Sequence, residues 1–264
     1  MNHPLRFFLP FGIVRASQIF GELRTLGLSQ FEALRASLHP STNQRLQKSR
    51  LHLLPAGSLA RMQCVVDIGA NVGDWTHELL RLHVPERMLV IEPDPRLTSG
   101  LRARFKAFPS IQIHNVALGA KEGILPFYQM AQSDMNSLLK PTEEAHQTYG
   151  AITAIENTIE VPVKTLDSLT TDIPSIDLLK LDVQGFEQHV LQGSTATMQR
   201  TQAVLLELNF MSHYQGDLRF HELDRLMNDM GFALSNYSPP ARKDSLALWA
   251  DGLYLRHANN VRQH

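Results

Sequence analysis

Met62-Gln-Cys-Val-Val-Asp-Ile-Gly-Ala-Asn-Val-Gly73 decides the fold. Met62–Ile68 is a short apolar run rich in β-branched residues, the pattern of a strand covered on both faces. Gly69 and Gly73 punctuate its end, and Val72–Leu82 then takes up helical periodicity. A strand that passes through a glycine-bearing turn into a helix is the opening unit of a parallel sheet. The alternation continues downstream. Strands are predicted at Met88–Glu92, Ile111–Val116, Ile176–Val183 and Ala203–Leu208, and helices at Arg96–Phe105, Phe186–Met198 and Phe220–Met230. Phe232–Tyr237 and Leu246–Arg256 read as a closing pair of strands. The fold class is therefore α/β, a Rossmann-like doubly wound and mostly parallel sheet.

Outside this core lie two other stretches. Residues 1–58 carry apolar positions at helical spacing, such as Phe20, Leu23, Leu26 and Leu28, and read as an N-terminal helical extension or cap. It ends at a junction near Pro55-Ala-Gly57-Ser58, which leaves 59–264 as the main domain. Between the third and fourth strands, Gly123–Gln129 and Ile159–Lys164 form a predicted hairpin around a polar insert, Met135–Ala154. An insert of this length is either a lid or substrate loop, or a plain surface loop.

Composition narrows the partners. The 264 residues are 43% apolar and 19% charged, with a formal net charge of -1. No basic field of the kind nucleic acid requires is present, so none is expected as a partner. Arg102, Arg104 and Lys106 are expected on a solvated helix face. The single cysteine, Cys64, excludes an intrachain disulfide; inside an apolar run it is expected to be an inert buried thiol, consistent with a cytoplasmic location. Phe7–Val14 is too short for a membrane span or a signal core, so no transmembrane segment is expected.

Sheets of this class bind ligands beyond the carboxyl ends of their strands. The turn Asp67-Ile-Gly69-Ala-Asn71-Val-Gly73 offers free N–H groups to an anion, and Asp67 an acceptor for an ammonium group. A ligand bearing both, such as the methionine part of S-adenosylmethionine, matches. Gly69 permits a tight turn and close ligand approach, and Gly73 close packing at the helix start. A dinucleotide would call for G-x-G-x-x-G, which is absent. Glu92 closes the second strand, 25 residues past Asp67, as a ribose-hydroxyl acceptor. Asn115 and Ala117 follow the third strand and either flank an adenine ring or form a plain turn. Asp182 ends the fourth strand, where it either orients the cofactor or takes a proton from an acceptor hydroxyl. Glu187 is a dipole-complementing acid in the next helix or a site residue. Glu207 and His213 follow the fifth strand as further candidate bases, His213 alternatively a loop histidine. Asp251 is an odd residue for a strand interior and is expected to face the site or pair there. Asp182, Glu187, Glu207 and Asp251 are also an oxygen set that a divalent metal would accept, although no spacing is diagnostic of one.

These pieces occur in an order that resembles the FkbM family of methyltransferases. They are Val66-Asp-Ile-Gly-Ala-Asn-Val-Gly73, Ile91-Glu-Pro93, Asn115-Val-Ala-Leu-Gly119, Leu179-Lys-Leu-Asp-Val-Gln-Gly-Phe-Glu187, Val190-Leu-Gln-Gly193, Leu206-Glu207, Gly231-Phe232 and Asp251-Gly-Leu-Tyr254, spanning about residues 62–257. The resemblance implies an S-adenosylmethionine site at Asp67, Gly69, Asn71, Gly73, Glu92 and Asp182. It further implies O-methylation of a hydroxyl on a sugar, glycan or secondary metabolite. Some relatives carry Glu where this chain has Gln184, which argues against a metal or base role there. Two other functions remain open on the residues: a non-catalytic module that binds S-adenosylmethionine, and a nicotinamide-dependent oxidoreductase.

Overall fold

A computed structural model describes residues 7–9, 12–14 and 50–257. Phe7–Leu9 (β1) and Gly12–Val14 (β2) pair antiparallel. The helix expected around Phe20, Leu23, Leu26 and Leu28 lies outside the described residues. Leu51–Leu53 forms a 3₁₀ turn at the end of that stretch, and a second, Leu59–Arg61, follows the junction.

The central sheet contains β3 (Cys64–Ile68), β4 (Arg87–Ile91), β5 (Ile111–His114), β9 (Ile176–Leu181), β10 (Thr201–Asn209), β11 (Phe232–Tyr237), β12 (Ala241–Lys243) and β13 (Leu246–Arg256). Its order is β11-β13-β10-β9-β3-β4-β5, with β12 paired to β13. Strands β5, β4, β3, β9 and β10 run parallel, and β13 enters antiparallel between β10 and β11. The chain winds outward from β3 through β4 to β5, then returns to the other side of β3 to lay down β9 and β10. The switch point thus falls between β3 and β9, where a crevice opens at the carboxyl ends of both.

Neighbouring residues of each central strand go to opposite faces. On β10, Ala203 and Leu205 join one core cluster and Val204, Leu206 and Leu208 the other. Helices α1 (Asp74–Leu82) and α2 (Pro95–Phe105) cover the first face with Trp75, Leu79, Leu101 and Phe105. Helices α5 (Glu187–Gln192), α6 (Thr195–Gln199) and α7 (Phe220–Asp229) cover the second with Val190, Leu191, Met198, Leu223 and Met227. Removing each such leucine from water contributes about 2 kcal/mol. Two-sided burial explains the nearly unbroken apolar runs of β3 and β4.

Two predicted boundaries shift. The strand expected to reach Val116 leaves the main sheet after His114, and Ala117–Leu118 becomes β6 of a second sheet. There β6 runs beside β8 (Ile155–Lys164), which forms the predicted hairpin with β7 (Gly123–Met130). The polar insert contains α3 (Glu143–Tyr149), and a short helix α4 (Leu166–Leu169) follows β8. The helix predicted over Phe186–Met198 breaks into α5 and α6. Asp167 supplies the reason: its carboxylate accepts the Ala196 and Thr197 amides and the Thr197 hydroxyl, which caps α6 from another element. Among the described residues no helix is long and apolar enough to cross a membrane.

Candidate active site

A cavity of about 250 Å³ occupies the switch-point crevice. Ile68, Gly69 and Asn71 line it from the end of β3, and Ile91, Glu92 and Pro93 from the end of β4. Ala117, Leu118 and Phe127 of the second sheet form an apolar wall. Asp182, Gln184, Glu207, His213 and Trp249 close the side beyond β9, β10 and β13. The insert contributes Met135, Asn136, Leu138 and Tyr149, joined by Ser133 and Asp134 just before it, so it roofs the cavity rather than standing apart from it. The Ser133 hydroxyl donates to Asn71 Oδ1 at 3.1 Å, which ties the roof to the first turn. Among the described residues four non-glycines have positive φ, and three of them, Arg50, Asn71 and Gln184, line this cavity. Left-handed backbone of this kind costs a non-glycine residue about 1–2 kcal/mol and gathers at functional sites.

Both turn glycines are required by the protein's own packing. A Cβ on Gly69, at φ 74°, would collide with the Asp182 carbonyl oxygen, because the β3 and β9 tips stay paired there. One on Gly73, at φ 83°, would lie 2.6 Å from Leu101 and 2.7 Å from Phe105, which is the tight helix-start packing expected.

Asp67 takes a different place from the one expected. It is fully buried, does not line the cavity, and already has partners on both oxygens. Thr76 Oγ1 donates to Oδ2 at 2.6 Å and Lys180 Nζ to Oδ1 at 3.0 Å. Lys180, itself 4% exposed, also donates to the Gly69 carbonyl at 3.0 Å and approaches Asp182 Oδ2 to 3.6 Å. Asp67 therefore anchors the first turn through Lys180 and is not the direct ammonium acceptor of the sequence reading. Lys180 and Thr76 were overlooked. The available signal was a lysine in the middle of an apolar strand, which demands a buried acid.

Glu92 stands where expected. Its carboxylate accepts the Asn71 and Asp94 amides at 2.8 and 2.9 Å and faces the cavity, while burial pushes the carboxyl up to about 7. Asn115 does not line the cavity: its amide donates to the Glu92 and Pro93 carbonyls and to Thr98, buckling the turn that presents Glu92. Ala117 does line it, from β6.

The far side is a row of acids. Glu207 on β10 is in register with Asp251 on β13, and Asp182 follows the residue paired to Leu206. Arg50 enters this row, with Nη1 at 2.8 Å from Asp182, Nε at 2.6 Å from Asp251 and Nη2 at 3.9 Å from Glu207. Asp251 thus pairs within the site, as expected of so odd a strand residue. The metal reading does not survive this arrangement, since Arg50 fills the position among the three carboxyls. Glu187 is turned away, accepting the Val183 and Gly185 amides. Among the described residues no group of three metal-binding side chains is placed to hold an ion. Burial alone would raise the Asp182 carboxyl, but Arg50 and then Lys180 hold it well below the usual range, which suits an orienting anion better than a base. Burial, and next the charge of Asp182, push Glu207 well above it. His213 is buried, and burial lowers its ring toward the neutral form. Its Nε2 shares a hydrogen bond of 3.1 Å with the Tyr149 hydroxyl.

A family model described as the methyltransferase FkbM domain matches residues 67–234. The chain belongs to the FkbM methyltransferase family. The chain is 25% identical to the 2-O-methyltransferase NoeI of Sinorhizobium fredii over 162 residues, 58% of this chain and 66% of that one. Methyltransferase 1 of Beauveria bassiana is 27% identical over 142 residues, 49% of this chain and 57% of that one. The crystal structure of methyltransferase FkbM from Methylobacillus flagellatus superposes with a TM-score of 0.50 at 16% identity, covering 80% of this chain and 47% of the other. That likeness shows the Rossmann-like fold. The chain spans less than two thirds of the length of each of these relatives. Arg50, Trp249 and Asp251 fall outside the matched FkbM stretch, although Arg50 and Trp249 line the cavity and Asp251 pairs with Arg50.

Proposed function

We propose that the protein transfers the methyl group of S-adenosylmethionine to a hydroxyl of a sugar, glycan or similar polyhydroxylated small molecule. The observation that carries this reading is one continuous cavity at the switch point. It joins a buried carboxylate suited to a ribose, Glu92, to a polar wall holding two candidate bases, Glu207 and His213.

The residues fit the cofactor. Glu92 keeps lone pairs for ribose hydroxyls beyond the two backbone amides it accepts. Ala117, Leu118 and Phe127 suit the faces of an adenine ring, and the turn holding Gly69 and Asn71 suits the amino-acid tail. When bound, this cofactor supplies a methyl group on a sulfonium, already reactive toward an oxygen nucleophile. The protein's share is alignment and removal of the hydroxyl proton, for which Glu207 and His213 are the candidates, with Asp182 as orienter. Trp249 and Tyr149 add aromatic surface beside carboxylates, a combination that suits the apolar faces and hydroxyls of a sugar ring. The 2-O-methyltransferase relative supports oxygen as the acceptor atom.

Calorimetry with S-adenosylmethionine and with NAD separates this reading from a nicotinamide oxidoreductase. Release of S-adenosylhomocysteine across a panel of glycans separates it from a cofactor-binding module. Binding of NAD alone, or cofactor binding with no turnover on any hydroxyl acceptor, would overturn it.

A further inference from the structure

Arg50 precedes the matched family stretch, yet it is built into the site. The 3₁₀ turn that follows it buries Leu51 and Leu53 in the core, and the Leu53 carbonyl accepts the Asn236 amide of β11 at 3.1 Å. The segment is thereby pinned to the sheet, and the left-handed backbone of Arg50, at φ 64°, aims its guanidinium at the acid row.

The geometry is unequal. Two acids lie within contact distance of the guanidinium, Asp182 at 2.8 Å and Asp251 at 2.6 Å, whereas Glu207 stands at 3.9 Å. The second cation, Lys180, is spent on Asp67 at 3.0 Å and reaches Asp182 only at 3.6 Å. Among the described residues Asp67, Asp182, Asp251 and Glu207 thus share Arg50 and Lys180 in a nearly dry site, where an unbalanced charge is costly and a proton is the available remedy. We propose that Arg50 is a positioning residue for acceptor deprotonation: it fixes Asp182 and Asp251 as the anions of the row and leaves Glu207 as the carboxyl that exchanges the proton. The inference rests on the methyl-transfer reading above.

Every charged or titratable neighbour bears on this. Glu207 faces Arg50, Asp182 and Glu187, Asp251 across the register, and Tyr149 and Tyr214, with His213 on the same cavity wall. Asp251 in addition faces His52 and Lys180. Loading a cationic cofactor adds one positive charge, so the row keeps its net charge when Glu207 gives its resting proton to solvent. In turnover the acceptor oxygen forms its bond to the methyl carbon as the sulfur–methyl bond breaks, with the sulfur keeping that electron pair. The hydroxyl proton passes to the Glu207 carboxylate and then to solvent.

The sulfonium and its neutral thioether product make the test. Titration calorimetry of the full chain near pH 7, in buffers of different ionisation enthalpy, counts protons released. S-adenosylmethionine should release up to about one proton more than S-adenosylhomocysteine. Glu207→Gln should abolish the difference and Asp251→Asn preserve it. In an Arg50→Gln background the release should no longer depend on Glu207, because Asp251 then takes up the proton. Arg50→Lys should restore the dependence. Equal release by the two ligands, or a release lost in Asp251→Asn and kept in Glu207→Gln, overturns the proposal. So does a release still abolished by Glu207→Gln once Arg50 is gone. Should Arg50→Gln not fold, the first three proteins still decide the assignment to Glu207. Failure of either ligand to bind would instead count against the methyl-transfer reading itself.

Discussion

Gln184 joins two neighbours that no single charged side chain serves. Its Nε2 donates to Asp182 Oδ1 at 2.9 Å, while its Oε1 accepts the Tyr214 hydroxyl at 2.8 Å. A carboxylate there would keep the second contact and set a like charge against Asp182. Gln184→Glu should therefore cost about 1–3 kcal/mol of stability at pH 8 and less at pH 5, where the new carboxyl can hold a proton and donate; urea midpoints at the two values check this, and equal losses would contradict it. Glu187 allows a second test. Burial pushes its carboxyl up to about 7, so the fold favours the protonated form. That preference stabilises the fold fully below the unfolded carboxyl's value and is lost as pH rises through about 7. Glu187→Gln keeps an acceptor oxygen for the two amides without the charge. Its stability relative to the unaltered protein should rise between pH 5 and 8, by on the order of 3 kcal/mol, and parallel denaturation curves would refute it. Glu92, Glu207 and His213 were legible at this scale because a strand end followed by a polar residue is a local pattern. Lys180 and Arg50 were not, since each acts on a partner far along the chain: Lys180 is 113 residues from Asp67 and Arg50 is 132 from Asp182.

Strand and helix positions followed from periodicity, and the misses came where one element terminates another. The sequence from Phe186 to Met198 carries apolar residues at helical spacing on both sides of Gly193-Ser194, and nothing local announces that Asp167, from another element, will cap a second helix at Thr195. Removing that cap belongs to this scale. Asp167→Ala should cost about 1–2 kcal/mol by freeing the Ala196 and Thr197 amides, and thermal unfolding measures it. Cofactor affinity should stay unchanged, because α6 contributes nothing to the cavity wall. The third predicted strand fails for a related reason. Asn115 is held by the Glu92 and Pro93 carbonyls, which diverts the chain after His114 so that Ala117–Leu118 pairs with β8 instead. A residue read as a possible adenine contact is in fact what bends the chain so that its neighbours line the cavity.

At the scale of the molecule the winding order divides the labour. Strands β3 and β4, laid down first, present the turn and the acid suited to the cofactor. Strands β9, β10 and β13, laid down on the other side of the switch, present the acids, His213 and Trp249. The two halves should therefore be separable by mutation. A ligand that binds only the folded chain stabilises it by about 2.7 kcal/mol at a hundredfold excess over its dissociation constant. S-adenosylmethionine should raise the unfolding midpoint accordingly. Glu92→Ala removes the ribose acceptor from the first half and should erase most of that rise. Trp249→Ala, in the second half, should leave the rise intact while lowering turnover on a glycan acceptor, with the loss falling mainly on the acceptor's KM, since a stacking face binds ground state and transition state alike. The paired outcome is what matters. If Trp249→Ala abolished the cofactor-induced stabilisation and Glu92→Ala left it untouched, the cofactor would have to lie on the β9–β13 side, and the division of the cavity drawn from strand order would be reversed.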